Sequence, residues 1–142
     1  MPSLFDTCGR AIRKALLSNP ALIAAVGDAK YVIQEATAAD LNSPVDNKYV
    51  VFEYLAGGNM NQSPRQDFDV RYMVTGIATN LAVAKNLADI ISDTLSEREI
   101  DYANGFAPYT VVTELYPMAD NFLIEGKVFW RVGAVYRLRG VK

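Results

Sequence analysis

Apolar and polar residues alternate with two different periods along this chain, and these periods predict both helices and strands. Over residues 3–17 the apolar positions lie three or four apart, at Phe5, Cys8, Ile12 and Leu16. This spacing places them on one stripe of an amphipathic helix with Ser3 as its N-cap. A second, short helix is predicted between Asn19 and Gly27, because asparagine followed by proline suits a helix start and glycine suits a helix end.

Five segments have the composition or the period of β-strands: residues 30–36, 49–55, 67–79, 109–116 and 123–139. The alternation is clearest in the third segment, where Tyr72 points one way while Asp69 and Arg71 point the other. A period of two with one polar face predicts a sheet that has one face on the core and one face outward. The last segment repeats the pattern, with Trp130 and Tyr136 on its apolar face.

The remaining segments predict one more helix and several connections. Residues 80–98 have the longest helical apolar stripe, and Asn80 opens it. Glycine, asparagine and proline predict a long hairpin loop over residues 56–66, a turn over 117–121, and loops over 37–48 and 102–108. The order of elements predicts an α+β fold, a mainly antiparallel sheet of about five strands with two principal helices packed on one face. No composition shift marks a boundary, so residues 1–142 are predicted to form a single domain.

The composition excludes several classes of function. The 142 residues have a formal net charge of −2, which argues against a general affinity for nucleic-acid phosphates. Histidine is absent, so Ser-His-Asp and Cys-His catalysis are impossible within one chain. The single cysteine, Cys8, precludes an intrachain disulfide and is predicted to be a small buried hydrophobe. We find neither a signal-peptide pattern nor an apolar run long enough to cross a bilayer, and therefore expect no membrane association. With one cysteine, the chain is expected to fold in a reducing cytoplasm or to tolerate one.

Three groups of residues are candidates for chemical sites, and the position of each group has a simpler structural explanation. Asp67 and Asp69 place two carboxylates on one side of a strand, but no third ligand follows at a recognisable spacing. The glycines at Gly57-Gly58 lack the lysine and the following helix of a phosphate-binding loop. Trp130 suggests a stacking platform for single strands, yet its position favours core packing. We therefore predict no catalytic residue, no cofactor and no metal.

The order of these elements, together with two short motifs, resembles the tail-terminator (tail-completion) proteins of long-tailed bacteriophages. The segment from Asn19 to Gly27 has the form D/N-P-x-L-x-x-x-V-G, which in that family follows the first helix. Lys48-Tyr49-Val50-Val51-Phe52 is similar to the family's short P-Y-V-V-F strand. A loop, an alternating strand, a helix rich in alanine and leucine, and a closing aromatic strand follow in the same order. The resemblance covers nearly the whole chain, apart from the middle loop and residues 101–108.

The resemblance implies a structural virion protein rather than an enzyme. Such a protein forms a homo-oligomeric ring, typically of six subunits, at the head-proximal end of the tail tube. The ring stops tube polymerisation and joins the tail to the neck or head-completion protein, while DNA passes through the lumen without specific binding. The alternatives are a neighbouring neck or minor tail protein and, in another class, a small α+β binding module or enzyme with a cleft. A closed ring would favour the first interpretation, and a deep polar pocket would favour the last.

A ring needs two different complementary patches on each subunit, and charged strand faces are the first candidates. The outward face of residues 67–79 combines Asp67, Asp69 and Arg71 with Met73 and Ile77. The last strand is predicted to end the sheet with an unpaired edge that a neighbour covers. The third helix presents acidic residues at 89, 93 and 97. The predicted contact residues are Gly57, Gly58, Asn59, Met60, Asn61, Arg65, Asp67, Asp69, Arg71, Phe106, Arg131, Arg137 and Arg139.

Overall fold

The computed structural model describes residues 4–28, 31–34, 48–62, 65–95, 98–99, 111–124 and 126–141. Three helices and six strands lie within these ranges. In chain order they are α1 (Leu4–Leu17), α2 (Pro20–Val26), β1 (Val32–Gln34), β2 (Tyr49–Gln62), β3 (Arg65–Ala78), α3 (Leu81–Leu95), β4 (Arg98–Glu99), β5 (Val111–Ile124) and β6 (Lys127–Val141). The α+β fold class predicted from the sequence is confirmed. The predicted loops over 37–47 and 102–108, and Phe106 with them, lie outside the described residues.

The described strands form one six-stranded sheet in the order β1-β2-β3-β6-β5-β4. The β1–β2 pair is parallel, and all other neighbours are antiparallel. Strand β6 lies between β3 and β5 and is paired on both sides. The prediction that the last strand forms an edge is therefore wrong, because the two hairpins β2–β3 and β5–β6 associate through their second strands.

Two predicted connections belong to strands instead. Residues 56–62 and 65–66 continue the β2–β3 hairpin, so the long loop predicted over 56–66 is wrong. Their glycines and asparagines disfavour strands, but pairing with the alternating residues of β3 decides the conformation. The turn predicted over 117–121 is wrong as well, because β5 runs through Pro117 to Ile124. Proline is tolerated there since β5 lies at the margin of the sheet, and the hairpin turns at Gly126, where φ is +78°.

All three helices contribute to one core on one face of the sheet. Buried residues of α1, α2 and α3 meet the face formed by Val70, Tyr72 and Val74 of β3 together with Ala134, Tyr136 and Leu138 of β6. We call this the helix-facing side. Helix α3 crosses β3 and β6 so closely that a methyl group on Gly76 would lie 2.4 Å from the β-carbon of Leu87. Helix α3 ends at Leu95, three residues before the predicted end, and Arg98 belongs to β4 instead.

The opposite side of the sheet, which we call the outer side, is buried in its middle. Tyr49, Val51, Ile77 and Phe129 form a second apolar cluster there, with Met73 and Thr75 also buried. Met73 and Ile77 were predicted to lie on an outward contact face, and their burial contradicts that. The two ion pairs of the outer side lie toward its ends.

Candidate assembly surface

The outer charges form two ion pairs within the chain. At one end Arg137 donates hydrogen bonds from Nε and Nη2 to the two carboxylate oxygens of Asp69, and Nε lies 2.9 Å from Oδ1. At the other end Arg131 binds Asp120 in the same two-pronged way, with Nε 2.9 Å from Oδ1. Two parallel hydrogen bonds fix the orientation of each guanidinium. These charges, predicted as intersubunit contacts, therefore have partners inside the subunit.

The first pair lies in a surplus of positive charge. The hydrogen bond from Arg137 lowers the pKa of the Asp69 carboxyl below its usual value, and the charges of Arg71 and Arg139 act in the same direction. Burial opposes them by favouring the neutral acid. Arg71 and Arg139 are both exposed. The sheet thus brings three arginines from β3 and β6 together around one carboxylate.

The second pair, by contrast, lies beside an additional acid. Hydrogen bonding to Asp120 raises the pKa of the Arg131 guanidinium, and Glu53 on β2 adds to this effect. The hairpin residues Gly57, Gly58, Asn59, Met60, Asn61, Arg65 and Asp67 belong to β2 and β3, and their side chains lie outside the described set.

Each margin of the sheet leaves part of a long strand without a second partner among the described residues. Within the described residues, β2 pairs with β1 only over Val50–Phe52, so its edge from Glu53 to Gln62 has no second partner there. At the other margin β4 pairs with β5 only at Val111 and Val112, so the β5 edge beyond these residues is open within the same limits. Long open edges favour pairing with another chain.

Strand β5 is exposed on both of its faces, which sequence reasoning missed. Tyr116 on the outer side is 55% exposed and Leu123 on the helix-facing side is 69% exposed. Val128 of β6, opposite Leu123, is also exposed. A strand of 14 residues extends about 46 Å, whereas the 15 residues of α3 extend only about 22 Å. The helical layer is therefore too short to cover the β5–β6 hairpin.

A groove of about 460 Å³ separates α3 from this uncovered part of the sheet. Its wall on α3 consists of Lys85, Ala88, Asp89 and Ser92, and its floor on β5 and β6 consists of Glu114, Pro117, Met118, Ala119, Val132 and Gly133. The Ser92 hydroxyl donates to Glu114 across the groove at 3.3 Å. Small and apolar residues dominate the floor. The described residues contain no group of three histidine, cysteine or acidic side chains that could hold a metal ion.

Comparison with known proteins agrees with the fold. No family model matches the chain, and no curated protein matches it. Among solved structures, a chain in the virion of a native gene transfer agent particle has the same fold, with a TM-score of 0.72. The similarity covers 99% of this chain and 96% of that chain at 17% sequence identity. The molecule is thus an α+β protein with two unlike sheet margins, and its fold is similar over nearly its whole length to that of a chain in a virion particle. None of the described helices is long and apolar enough to cross a membrane.

Proposed function

We propose that this chain is a structural virion protein, a tail-terminator subunit that closes into a ring of six at the head-proximal end of a tail tube. The observation behind the proposal is the fold, which a chain of a virion particle shares over nearly the full length of both. The resemblance to tail-terminator proteins adds the position: the ring ends tube polymerisation and joins the tail to the neck or head-completion protein. In this role the chain has no catalytic activity and needs no cofactor.

The unlike sheet margins support a ring. A ring requires a heterologous interface, in which one patch of each subunit meets a different patch of the next. The four long strands lie in the order β2-β3-β6-β5, so the β2 margin and the β5 margin are opposite edges of the sheet. Each subunit therefore offers one margin of each kind. An interface between two identical margins would instead close at a dimer.

The outer arginines supply a second surface for other virion proteins. Arg71 and Arg139 are exposed beside the Asp69–Arg137 pair, and we assign them to contacts with the tube or neck protein. The tip of the β2–β3 hairpin and Phe106 are the other proposed contacts. Since charge pairs at an interface set register and association rate more than affinity, replacing both Arg71 and Arg139 by glutamate should weaken docking while leaving the ring intact. Arg137 is a poorer choice because its replacement would also break the pair with Asp69.

The direct test is to add the purified chain to polymerising tube protein from the same virus. Electron microscopy should show rings on one end of tubes that stop growing, and an R71E/R139E variant should form rings that cap few tubes. Rings that bind head-completion protein but leave tube growth unchanged would favour the alternative, a neck protein. A chain that stays monomeric and turns over a small molecule in the α3–β5 groove would overturn the structural role altogether.

A further inference from the structure

Three observations show that the rest of the subunit does not cover its β5 side. Strand β5 has exposed side chains on both faces, the helical layer stops short of it, and the groove beside α3 opens onto it. Monomeric proteins protect such edges with charges, proline or bulges. Pro117 and the register shift between Glu114 and Tyr116 protect only one half of β5. The other half keeps Leu123 exposed to solvent, with Val128 exposed opposite it on β6.

The opposite margin carries charge of the opposite sign. Helix α1 packs on β1 and β2, so it lies over the margin farthest from β5. Its solvent side is basic, with Arg10, Arg13 and Lys14 exposed beside Leu17. The groove is acidic by contrast, since Asp89 of α3 and Glu114 of β5 line it, and Asp93 is exposed one turn beyond Asp89. Lys85 is the only cation among the described groove residues.

We infer that the β5 margin and groove of one subunit bind the β1–β2 margin and helix α1 of a second copy of this chain. When the second copy extends the sheet beside β5, its helix α1 comes to lie above the uncovered floor of the groove. Its cations then face the carboxylates of α3, and its helix covers Leu123 and Val128. The inference deepens the proposed ring, because it names the two surfaces that close it.

The charge pattern explains why a second copy, rather than another virion protein, is the occupant. The basic strip and the acidic groove belong to the same chain, at opposite margins of one sheet. Like surfaces repel, so two β5 margins or two α1 margins do not pair. The only attractive combination is head to tail, which continues from subunit to subunit and closes as a ring.

A charge exchange tests the contact. One variant carries Asp89→Arg and Asp93→Arg, and the other carries Arg10→Glu and Arg13→Glu; all four side chains are exposed, so both variants should fold. Each variant alone should need at least about tenfold more protein than the wild type to assemble, a 1.4 kcal/mol effect. An equimolar mixture should restore assembly, because every α1 then faces a groove of opposite charge in an alternating ring. R71E/R139E, which also reverses two exposed charges but on the outer side of the sheet, is the matched control and should assemble like the wild type.

Leu123→Asp provides a test that does not depend on charge exchange. It should weaken assembly alone and in mixtures with either charge variant, as an apolar contact requires. Native mass spectrometry and circular dichroism distinguish lost assembly from lost folding. Folded variants that assemble like the wild type, or a mixture that fails to recover, would overturn this contact while leaving a ring with other surfaces possible. A wild type that never assembles would contradict the contact and the proposed ring together.

Discussion

Asn19 shows how much of a contact a short sequence motif determines. Its side-chain oxygen accepts a hydrogen bond from the Ala21 amide at 2.9 Å and so caps α2, as Asn19-Pro20 predicted. Its side-chain nitrogen donates to the Thr94 hydroxyl at 2.7 Å, which ties α2 to the last turn of α3. The cap follows from local sequence, whereas the tie to a residue 75 positions away depends on how the helices pack and could not be predicted.

Replacing Asn19 by alanine should therefore cost more than an ordinary helix cap. Loss of the cap costs about 1 kcal/mol, and loss of the hydrogen bond to Thr94 adds about 1 kcal/mol. Asn80→Ala is the matched control, since Asn80 caps α3 through the Ala82 amide. Urea unfolding would measure both variants. Equal losses of free energy of unfolding would show that the tie to Thr94 contributes nothing.

The Asp69–Arg137 pair should make the stability of the folded chain sensitive to acid. Because its pKa is lowered in the folded chain, its contribution to stability is complete well above pH 4 and is lost as the pH falls through the lowered folded-state pKa. Asp69→Asn should be less stable than the wild type at pH 7 and should lose less stability between pH 5 and pH 2. Urea midpoints across this range would measure the difference. Parallel pH profiles for the two proteins would contradict the role of the Asp69–Arg137 pair.

At the scale of elements, the periodicity of the sequence predicts the helices and strands that have one apolar side. It misses the strand segments whose conformation depends on pairing with a neighbouring strand. The structure confirms the apolar stripes of helices α1 and α3 and the helix-facing residues of β3, whereas the other face of β3 is buried in its middle. The tips of both hairpins were missed because glycine, asparagine and proline disfavour strands locally, while their partners hold them extended. The open β5 margin was missed for a related reason, since strand order depends on which hairpins associate.

The close packing of α3 on β3 gives a prediction about one glycine. Gly76→Ala would place a methyl group 2.4 Å from the β-carbon of Leu87 and 3.3 Å from the Ala84 carbonyl oxygen. The helix must then move away from the sheet, and overpacking of this kind costs about 1–3 kcal/mol. Thermal or urea unfolding would measure it. An unchanged midpoint would mean that α3 is not held against the sheet at Gly76.

At the scale of the whole molecule, the subunit is a sheet covered by helices for only part of its length and width. The buried face under α1, α2 and α3 gives it a core of its own. The β5 margin is left exposed with large apolar residues, which is costly for a protein that works alone. The proposed contact between copies of the chain would bury this margin, and a chain with the same fold occurs in a virion particle.

The mass of the purified chain in solution is the sharpest test of the proposed ring. Six copies of the 15.6 kDa chain give a ring of about 94 kDa, and native mass spectrometry over increasing concentration should show that species accumulating, with a closed ring in electron micrographs. A 15.6 kDa monomer at every concentration, or a dimer that grows no further, would contradict the claim that unlike margins join subunits into a ring.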